Sequence, residues 1–453
     1  MPEGKPLVVD ADAALLPTGL ALECFWSALG RAPLATMGAV LRNLGRPARL
    51  KAILFRLASL RADLLPSRPD VAARIEQARA AGRPVTLVTA CDARMATALR
   101  DAMGLDAEVM ASDGATHLRG AARRRALDAA FGRDGYDYIG PPRRDDGPGP
   151  AQSAGWQWRA LLRALRPHQW VKNVLLLLPL IAAHDFGWSL LGPVLLGMVA
   201  FSAAASSIYI VNDLLDLEAD RLHPTKRHRP FAAGAVPIAV GMIAAALLAL
   251  GALGLALAIG PALLGVLALY MGLSLSYSLR LKRMRWVDIA TLAGLYTIRV
   301  LAGAVAAGVP ATGYLIAFIY PIFITLGCVK RLTELTLATS DERLPGRGYG
   351  RPDRGDLLNV AGLGTFGALL VFFLYGFSET GTELYPRRWL LWLALVPVAA
   401  WLIRMVWLGW TGKQDYDPIV FALRDRYGLA LIFFTLTLMF YAAGLVWPDW
   451  MRP

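Results

Sequence analysis

The chain has 453 residues, 56% of them hydrophobic, with 47 Lys and Arg against 34 Asp and Glu for a formal charge of +13. It exceeds one typical domain, and its mean hydropathy of +0.45 is high for a soluble protein. A basic excess suits nucleic acid, anionic lipid, an anionic substrate or membrane topology. No helix-turn-helix, zinc-finger or RNA-binding signature occurs, so no nucleic-acid partner is expected.

From the N-terminus, MPEGKPLVVDADAALL lacks the basic, apolar and cleavage regions of a signal peptide, which predicts a leading domain that stays in the cytoplasm. Pro6 to Val9 reads as a buried strand ending at Asp10, and a helical stretch follows to about Ala80. Further strands are predicted at 84–90, 107–113 and 136–140, with a helix at 118–132. Strands alternating with helices imply a small α/β domain with a parallel sheet over residues 1–150. The stretch 141–155 is rich in Pro, Gly and charge and reads as a linker to a membrane domain over 151–453. Cys24, Cys91 and Cys328 are too few and scattered for a disulfide framework or a zinc site, and Cys328 reads as packing.

Beyond the linker, about nine apolar segments are long enough to span a bilayer as helices. They centre near residues 180, 200, 245, 268, 297, 320, 367, 397 and 437, with a Gly260–Pro261 break between the third and fourth. Lys and Arg crowd alternate loops (Arg221 to Arg229, Arg280 to Arg285, Lys330 to Arg354, Arg404 to Arg426), while Arg387 and Arg388 stand alone on the other side. This bias predicts a cytoplasmic N-terminal domain and accounts for most basic residues of the membrane half.

The stretch from Tyr209 to Gly234 carries the chemistry. Asn212, Asp216 and Asp220 recur every four residues along one helical face, with Asp213 beside it. Carboxylates this close repel unless a cation neutralises them, and hard oxygen ligands suit Mg²⁺ bridged to phosphate. Lys226, Arg227 and Arg229 follow at once and offer donors to phosphate oxygens. The plainer reading, a helix end with solvated charges, is poor for three acids in eight residues at a membrane edge. A second cluster runs from Tyr277 to Ala304. Asp288 opens the fifth apolar segment, and Arg299 lies about three turns inside it. A buried arginine in lipid signals a role, or a structural pairing with an acid of another helix. Arg283 and Arg285 read as topology signals.

These two segments resemble the signature regions of the UbiA superfamily of intramembrane prenyltransferases, the first matching its NDxxDxxxD motif. The resemblance covers about residues 160–450 and implies an all-α polytopic fold. Arg166–Asn173, His223–Pro230, YSLRLK and Val329–Leu335 look like the branch that includes decaprenyl-phosphate phosphoribosyltransferases. The family's second motif is often DxxxD, whereas Leu292 stands four residues after Asp288. This departure weakens the aromatic-prenyltransferase alternative, in which a polyprenyl diphosphate is the donor. The resemblance implies that Asn212, Asp213, Asp216, Asp220 and Asp288 hold one or two Mg²⁺, with Asp216, Asp220 and Asp288 central to catalysis. It implies substrate contacts from Lys172, Asn173, His223, Lys226, Arg229, Tyr277, Lys282, Arg299, Lys330 and Glu334, although Lys172 and Lys330 could equally snorkel at the interface. The implied partners are a polyprenyl phosphate or diphosphate, a phosphorylated small-molecule donor and membrane lipid, and the implied place is a bacterial inner membrane.

The N-terminal VVDADAALL, LVTA and LRGAARRRAL followed by YDYIG resemble the haloacid-dehalogenase phosphatase fold. That implies Asp10 and Asp12 as nucleophile and acid, Thr89 as the phosphate-binding hydroxyl and Arg123 at the family's lysine position. The family's late Gly-Asp pair reads Gly140-Pro141, and its DxDGT ends in Ala13-Ala14, so a degenerate site is expected. Two readings from other classes compete. A transporter would show inverted repeats and acids at the midplane, and neither is evident. A lipid-binding scaffold needs no clustered acids.

Overall fold

The computed structural model describes residues 4–113, 117–140, 156–344, 347–414 and 417–444. The chain divides into two compact units, one comprising 1–166 and 206–248, the other 167–205 and 249–453. The linker expected at 141–155 lies outside the described residues.

In the first unit, β1 (Leu7–Asp10), β2 (Val85–Asp92), β3 (Glu108–Ser112) and β4 (Asp137–Ile139) form a parallel sheet of order β3-β2-β1-β4. All four strands fall where the apolar runs predicted them. Val8 pairs with Thr86 on one side and Tyr138 on the other. The period-2 alternation of a strand is visible in the packing. Leu7, Val9, Val85 and Leu87 join one core with Leu20, Met95 and Leu99, whereas Val8 and Val88 turn to Leu127 and Tyr136. Helix Leu20–Arg31 is amphipathic on two sides. Leu20, Cys24 and Ala28, spaced by four, enter the sheet's core. Trp26 instead packs with Ala160, Ala164, Ile210, Leu214, Leu217 and Phe231. That second cluster is why Ser206–Leu248 groups with the N-terminal region.

The second unit is helical. Among the described residues, seven helices of the chain are long and apolar enough to cross a membrane: Trp188–Leu215, Ile238–Ile259, Pro261–Leu279, Val287–Ala307, Gly313–Thr336, Arg351–Tyr375 and Arg388–Trp410. Val287–Ala307 is the innermost, 67% buried over its most apolar window against 17% for Ile238–Ile259. The predicted Gly260–Pro261 break is present, with Pro261 opening the next helix, where its missing N–H costs nothing.

Two of the nine expected apolar runs form shorter helical pieces among the described residues. The apolar run near 437 forms Arg426–Ala442, only 17 residues. The run near 180 is not one helix: a 3₁₀ stretch, Pro167–Leu177, hands over to the short helix Leu178–Ala183, which ends at His184 with φ 56°. Pro179 in the first turn and a left-handed residue after the last cap it at both ends. This stretch lies against Val287–Ala307 at Gly303, where an added Cβ would overlap the Leu176 carbonyl and stand 2.7 Å from its carbon.

Candidate active site

The aspartate motif sits where helix Trp188–Leu215 ends and helix Leu217–Leu222 begins, with Asp216 between them. Acids at a helix C-terminus face its negative end, so they need cations close by. Two arginines of the same unit supply them. Asp213, 2% exposed, accepts from Arg229 Nη1 at 3.2 Å and from Arg166 Nη2 on the same oxygen. Asp220, 3% exposed, accepts from Arg229 Nη1 at 2.7 Å. Burial pushes the Asp220 carboxyl above the usual carboxylate range, against the pull of Arg229. Arg166 lies over the Tyr209 ring at 5.1 Å, and its backbone adopts φ 53°, uncommon for a residue with a side chain. Asn212 Oδ1 is buried and has no hydrogen-bond partner. Asp216 is half-buried.

His223 and Lys226, expected to touch substrate, are exposed. The His223 Nδ1 accepts from the backbone N–H groups of Thr225 and Lys226 at 3.2 and 3.4 Å and so shapes the turn. Among the described residues, no three His, Cys, Asp or Glu side chains form a metal cage made of protein alone.

The second cluster belongs to the second unit. Asp288 lies in the first turn of its helix, where the dipole favours an acid. It is fully buried, and both oxygens are engaged: Oδ2 by Arg331 Nε at 2.6 Å, Oδ1 by Tyr277 Oη at 2.8 Å and Arg331 Nη2 at 3.2 Å. Arg347 Nη1 stands 3.5 Å from Oδ1 and donates to Tyr277 Oη at 3.1 Å. Arg331 also pairs with Glu334. Asp288, expected as a metal ligand, is engaged here by Arg331 and Tyr277. Trp286, just before it, is held at φ 68° with its N–H donating to Tyr349 Oη at 2.7 Å, an outlier of the kind that clusters at functional sites. Lys282 occupies the preceding 3₁₀ turn, Leu281–Arg283. Arg285, read as a topology signal, pairs with Asp353 at 3.1 Å and with Asp356.

Deeper in the same unit, the buried Arg299 finds neutral partners: Asn173 Oδ1 at 3.1 Å, the Leu295 carbonyl at 2.7 Å and Tyr270 Oη at 2.8 Å. The rings of Tyr270 and Tyr296 lie 4.7 and 5.5 Å from its guanidinium carbon. Asn173 in turn donates to Ser202 Oγ at 2.8 Å. Lys172 is buried and paired with Asp417, so it does not snorkel. The Lys172 ammonium, acting against burial, holds the Asp417 carboxyl below its ordinary range, and Lys330 and the Val420 N–H act in the same direction. A cavity of about 340 Å³, almost wholly apolar, opens in this unit between Val174, Leu178, Phe318, Phe323, Trp401 and Leu436.

The residues of the N-terminal resemblance also converge, at the carboxyl ends of β1 and β2, where open α/β sheets bind ligands. Asp10 is buried and accepts from the N–H groups of Asp12 and Ala13 at 3.0 and 3.1 Å, from Tyr138 Oη at 3.2 Å and from Arg123. Burial raises the Asp10 carboxyl while Arg123 opposes the rise. Asp12 accepts from Thr89 Oγ1 at 2.6 Å and Ala90 N–H at 3.0 Å. Pro141, which stands where the phosphatase family has its late acid, lies outside the described residues.

Sequence reasoning missed Arg166, Arg331, Arg347 and Asp417 as site residues. Arg331 and Arg347 are hidden within the charge bias of their loop. The signal available for Arg331 was Glu334 three residues later, an opposite charge one turn along the same helix.

The UbiA prenyltransferase family pattern matches residues 174–424. The uncharacterized protein y4nM of Sinorhizobium fredii is 32% identical over 457 aligned positions, covering 93% of this chain and 88% of that protein. The decaprenyl-phosphate phosphoribosyltransferase of Mycobacterium tuberculosis is 34% identical, covering 59% of this chain and 88% of that enzyme. Among solved structures, a UbiA homolog from Archaeoglobus fulgidus bound to DMAPP and Mg²⁺ has a TM-score of 0.49 at 14% identity, covering 63% of this chain and 100% of that one.

Proposed function

The chain belongs to the UbiA prenyltransferase family and is a multi-pass membrane enzyme, and from that premise we propose that it moves phosphoribosyl from phosphoribosyl pyrophosphate to a polyprenyl phosphate. The observation that carries the reading is the buried pair Asp213 and Asp220 gripped by Arg229, beside an Asn212 Oδ1 with no partner. An orphaned buried oxygen is costly, and a bound cation would satisfy it. Mg²⁺ takes one or two carboxylates and completes its shell with water and phosphate oxygens, a set that Asn212 with Asp213, Asp216 and Asp220 can supply. When bound, it neutralises the charge that develops on a departing diphosphate.

The protein's own groups do the rest. Arg166 and Arg229 hold the acids in place and present further N–H donors to phosphate oxygens. As the C1–O bond of the donor breaks, diphosphate leaves with the electron pair, and a phosphate oxygen of the lipid forms the new C1–O bond. The apolar cavity suits the isoprenoid tail and keeps water from it. The identity of 34% with a protein named decaprenyl-phosphate phosphoribosyltransferase favours this donor over a polyprenyl diphosphate. The loop charges favour a cytoplasmic N-terminal region, and the bacterial origin of the chain's relatives favours a bacterial inner membrane. The N-terminal cluster fits a degenerate phosphatase-like site, because Ala13, Ala14 and Pro141 stand where the phosphatase family has its Gly-Thr pair and its late acid. An Asp10→Asn change that alters the lipid products would instead make it an active partner.

The test is a product assay on purified protein with Mg²⁺ and polyprenyl phosphate. One arm supplies phosphoribosyl pyrophosphate; the other pairs polyprenyl diphosphate with an aromatic acid. A phosphoribosylated lipid that disappears with EDTA and with Asp216→Ala is expected. A prenylated aromatic would overturn the donor while leaving the family standing.

A further inference from the structure

We propose that Glu23, in the N-terminal α/β region, is a positioning residue for the aspartate-bearing loop and acts through Arg221. This rests on the reading that the loop binds the metal and diphosphate. Arg221 directly follows Asp220, and its guanidinium ties three pieces of chain. Nη2 and Nη1 meet the two Glu23 oxygens at 2.6 and 3.1 Å, and Nε meets the Ala232 carbonyl at 3.2 Å. The fork therefore closes the loop from 221 to 232, which contains His223, Lys226 and Arg229, and fastens it to helix Leu20–Arg31. Glu23 is 1% and the Arg221 side chain 6% exposed, so the pair is desolvated and bidentate.

Two further contacts hold the same parts together. Trp26, one turn beyond Glu23, packs among Leu214, Leu217 and Phe231, the first two of which interleave with Asp213, Asp216 and Asp220. Gly234, at φ 70°, brings its backbone so close to Pro17 and Pro66 that a Cβ would stand 2.8 and 3.1 Å from their rings. With both flanks clamped, the backbone that carries Asp220 and Arg229 is held in one geometry. Preorganised ligands need no ordering when substrate arrives, and this is where affinity is gained. A buried ion pair that only glued the fold would contribute to stability alone.

The experiment uses the full chain with Glu23→Asp, Glu23→Gln and the exchange Glu23→Arg with Arg221→Glu. It measures Mg²⁺ half-saturation, donor KM and kcat in the lipid-product assay, together with thermal unfolding. Expected for Glu23→Gln is a rise of about tenfold in Mg²⁺ half-saturation and donor KM, with kcat changing less than about twofold at saturation. Glu23→Asp, which keeps the charge and shortens its reach, should fall between, and the exchange should recover part of the loss. Unchanged Mg²⁺ and donor dependence in Glu23→Asp and Glu23→Gln, with only the unfolding temperature lowered, would overturn the positioning role. If Asp216→Ala in the otherwise native chain left the Mg²⁺ dependence intact, the underlying reading of the loop would fall first, and the positioning role with it.

Discussion

Arg331 meets Asp288 with Nε 2.6 Å from Oδ2 and Nη2 3.2 Å from Oδ1, and neither side chain is exposed. The two residues come from neighbouring helices, Gly313–Thr336 and Val287–Ala307. Glu334 and Arg347 complete a set of two positive and two negative charges. Inside a membrane protein such a set persists only when every member is paired. Arg331→Met leaves Asp288 without its main partner and should cost about 3–5 kcal/mol. Asp288→Asn combined with Arg331→Met should cost less than Arg331→Met alone. Thermal unfolding in detergent or nanodiscs measures these two variants and Asp288→Asn alone, and a double-variant loss equal to the sum of the two single losses would show that the pair carries no coupling.

Arg229 serves two acids from one nitrogen, and its loss should be felt as binding. Arg229→Ala should raise the donor KM by about tenfold or more, because Asp220 then loses its ion-pair partner and Asp213 keeps only Arg166 beside an anionic substrate. Arg229→Lys keeps the charge without the fork and should lie between. Steady-state kinetics with varied phosphoribosyl pyrophosphate decides it; a fall in kcat alone would place Arg229 elsewhere in the reaction.

Gly303 lets the 3₁₀ stretch lie on the innermost helix. Gly303→Ala forces a methyl into the Leu176 backbone, which cannot rotate away, so a loss of about 3 kcal/mol is expected, at the upper end for overpacking. Gly251→Ala, on a helix surface where an added Cβ meets nothing within 4 Å, is the control and should be neutral or stabilising. The measurement is again the unfolding temperature of the two variants.

Asp425 caps helix Arg426–Ala442 through the Gly428 N–H at 2.8 Å and takes Arg404 at 3.0 and 2.8 Å. The Arg404 hydrogen bonds hold its carboxyl below the ordinary value. Because the folded-state value is lowered, the stabilisation is fully present above the unfolded value of about 3.9 and fades as pH falls through the lower folded value. Wild-type protein should therefore exceed Asp425→Asn in stability at pH 6, and the gap should close as pH drops below about 4. A gap that stays constant with pH would assign the stabilisation to the cap's shape and not its charge.

The four strands were legible because buried parallel strands are unbroken apolar runs, as PLVV and VTLV are. The aspartate motif was legible because acids at helical spacing beside an apolar segment repel one another and resist burial unless a cation joins them. Two kinds of feature escaped. Hydropathy near residue 180 matches a span, but Pro179 and the left-handed His184 set the path of the backbone there. Arg331 escaped because a basic residue at the end of an apolar helix looks the same in sequence whether it faces water or a carboxylate.

Residue order alone therefore determined the α/β region, the apolar helices and the acids of the candidate site, since these follow from local periodicity and from the cost of charge in lipid. Only the tertiary structure decided which charge meets which. Asp213 and Asp220 share Arg229, Asp288 is taken up by Arg331, Lys172 reaches Asp417 far along the chain, and Glu23 takes Arg221. The reason is that ion pairing depends on distances of a few ångströms between side chains distant in sequence, and packing sets those distances, not spacing along the chain.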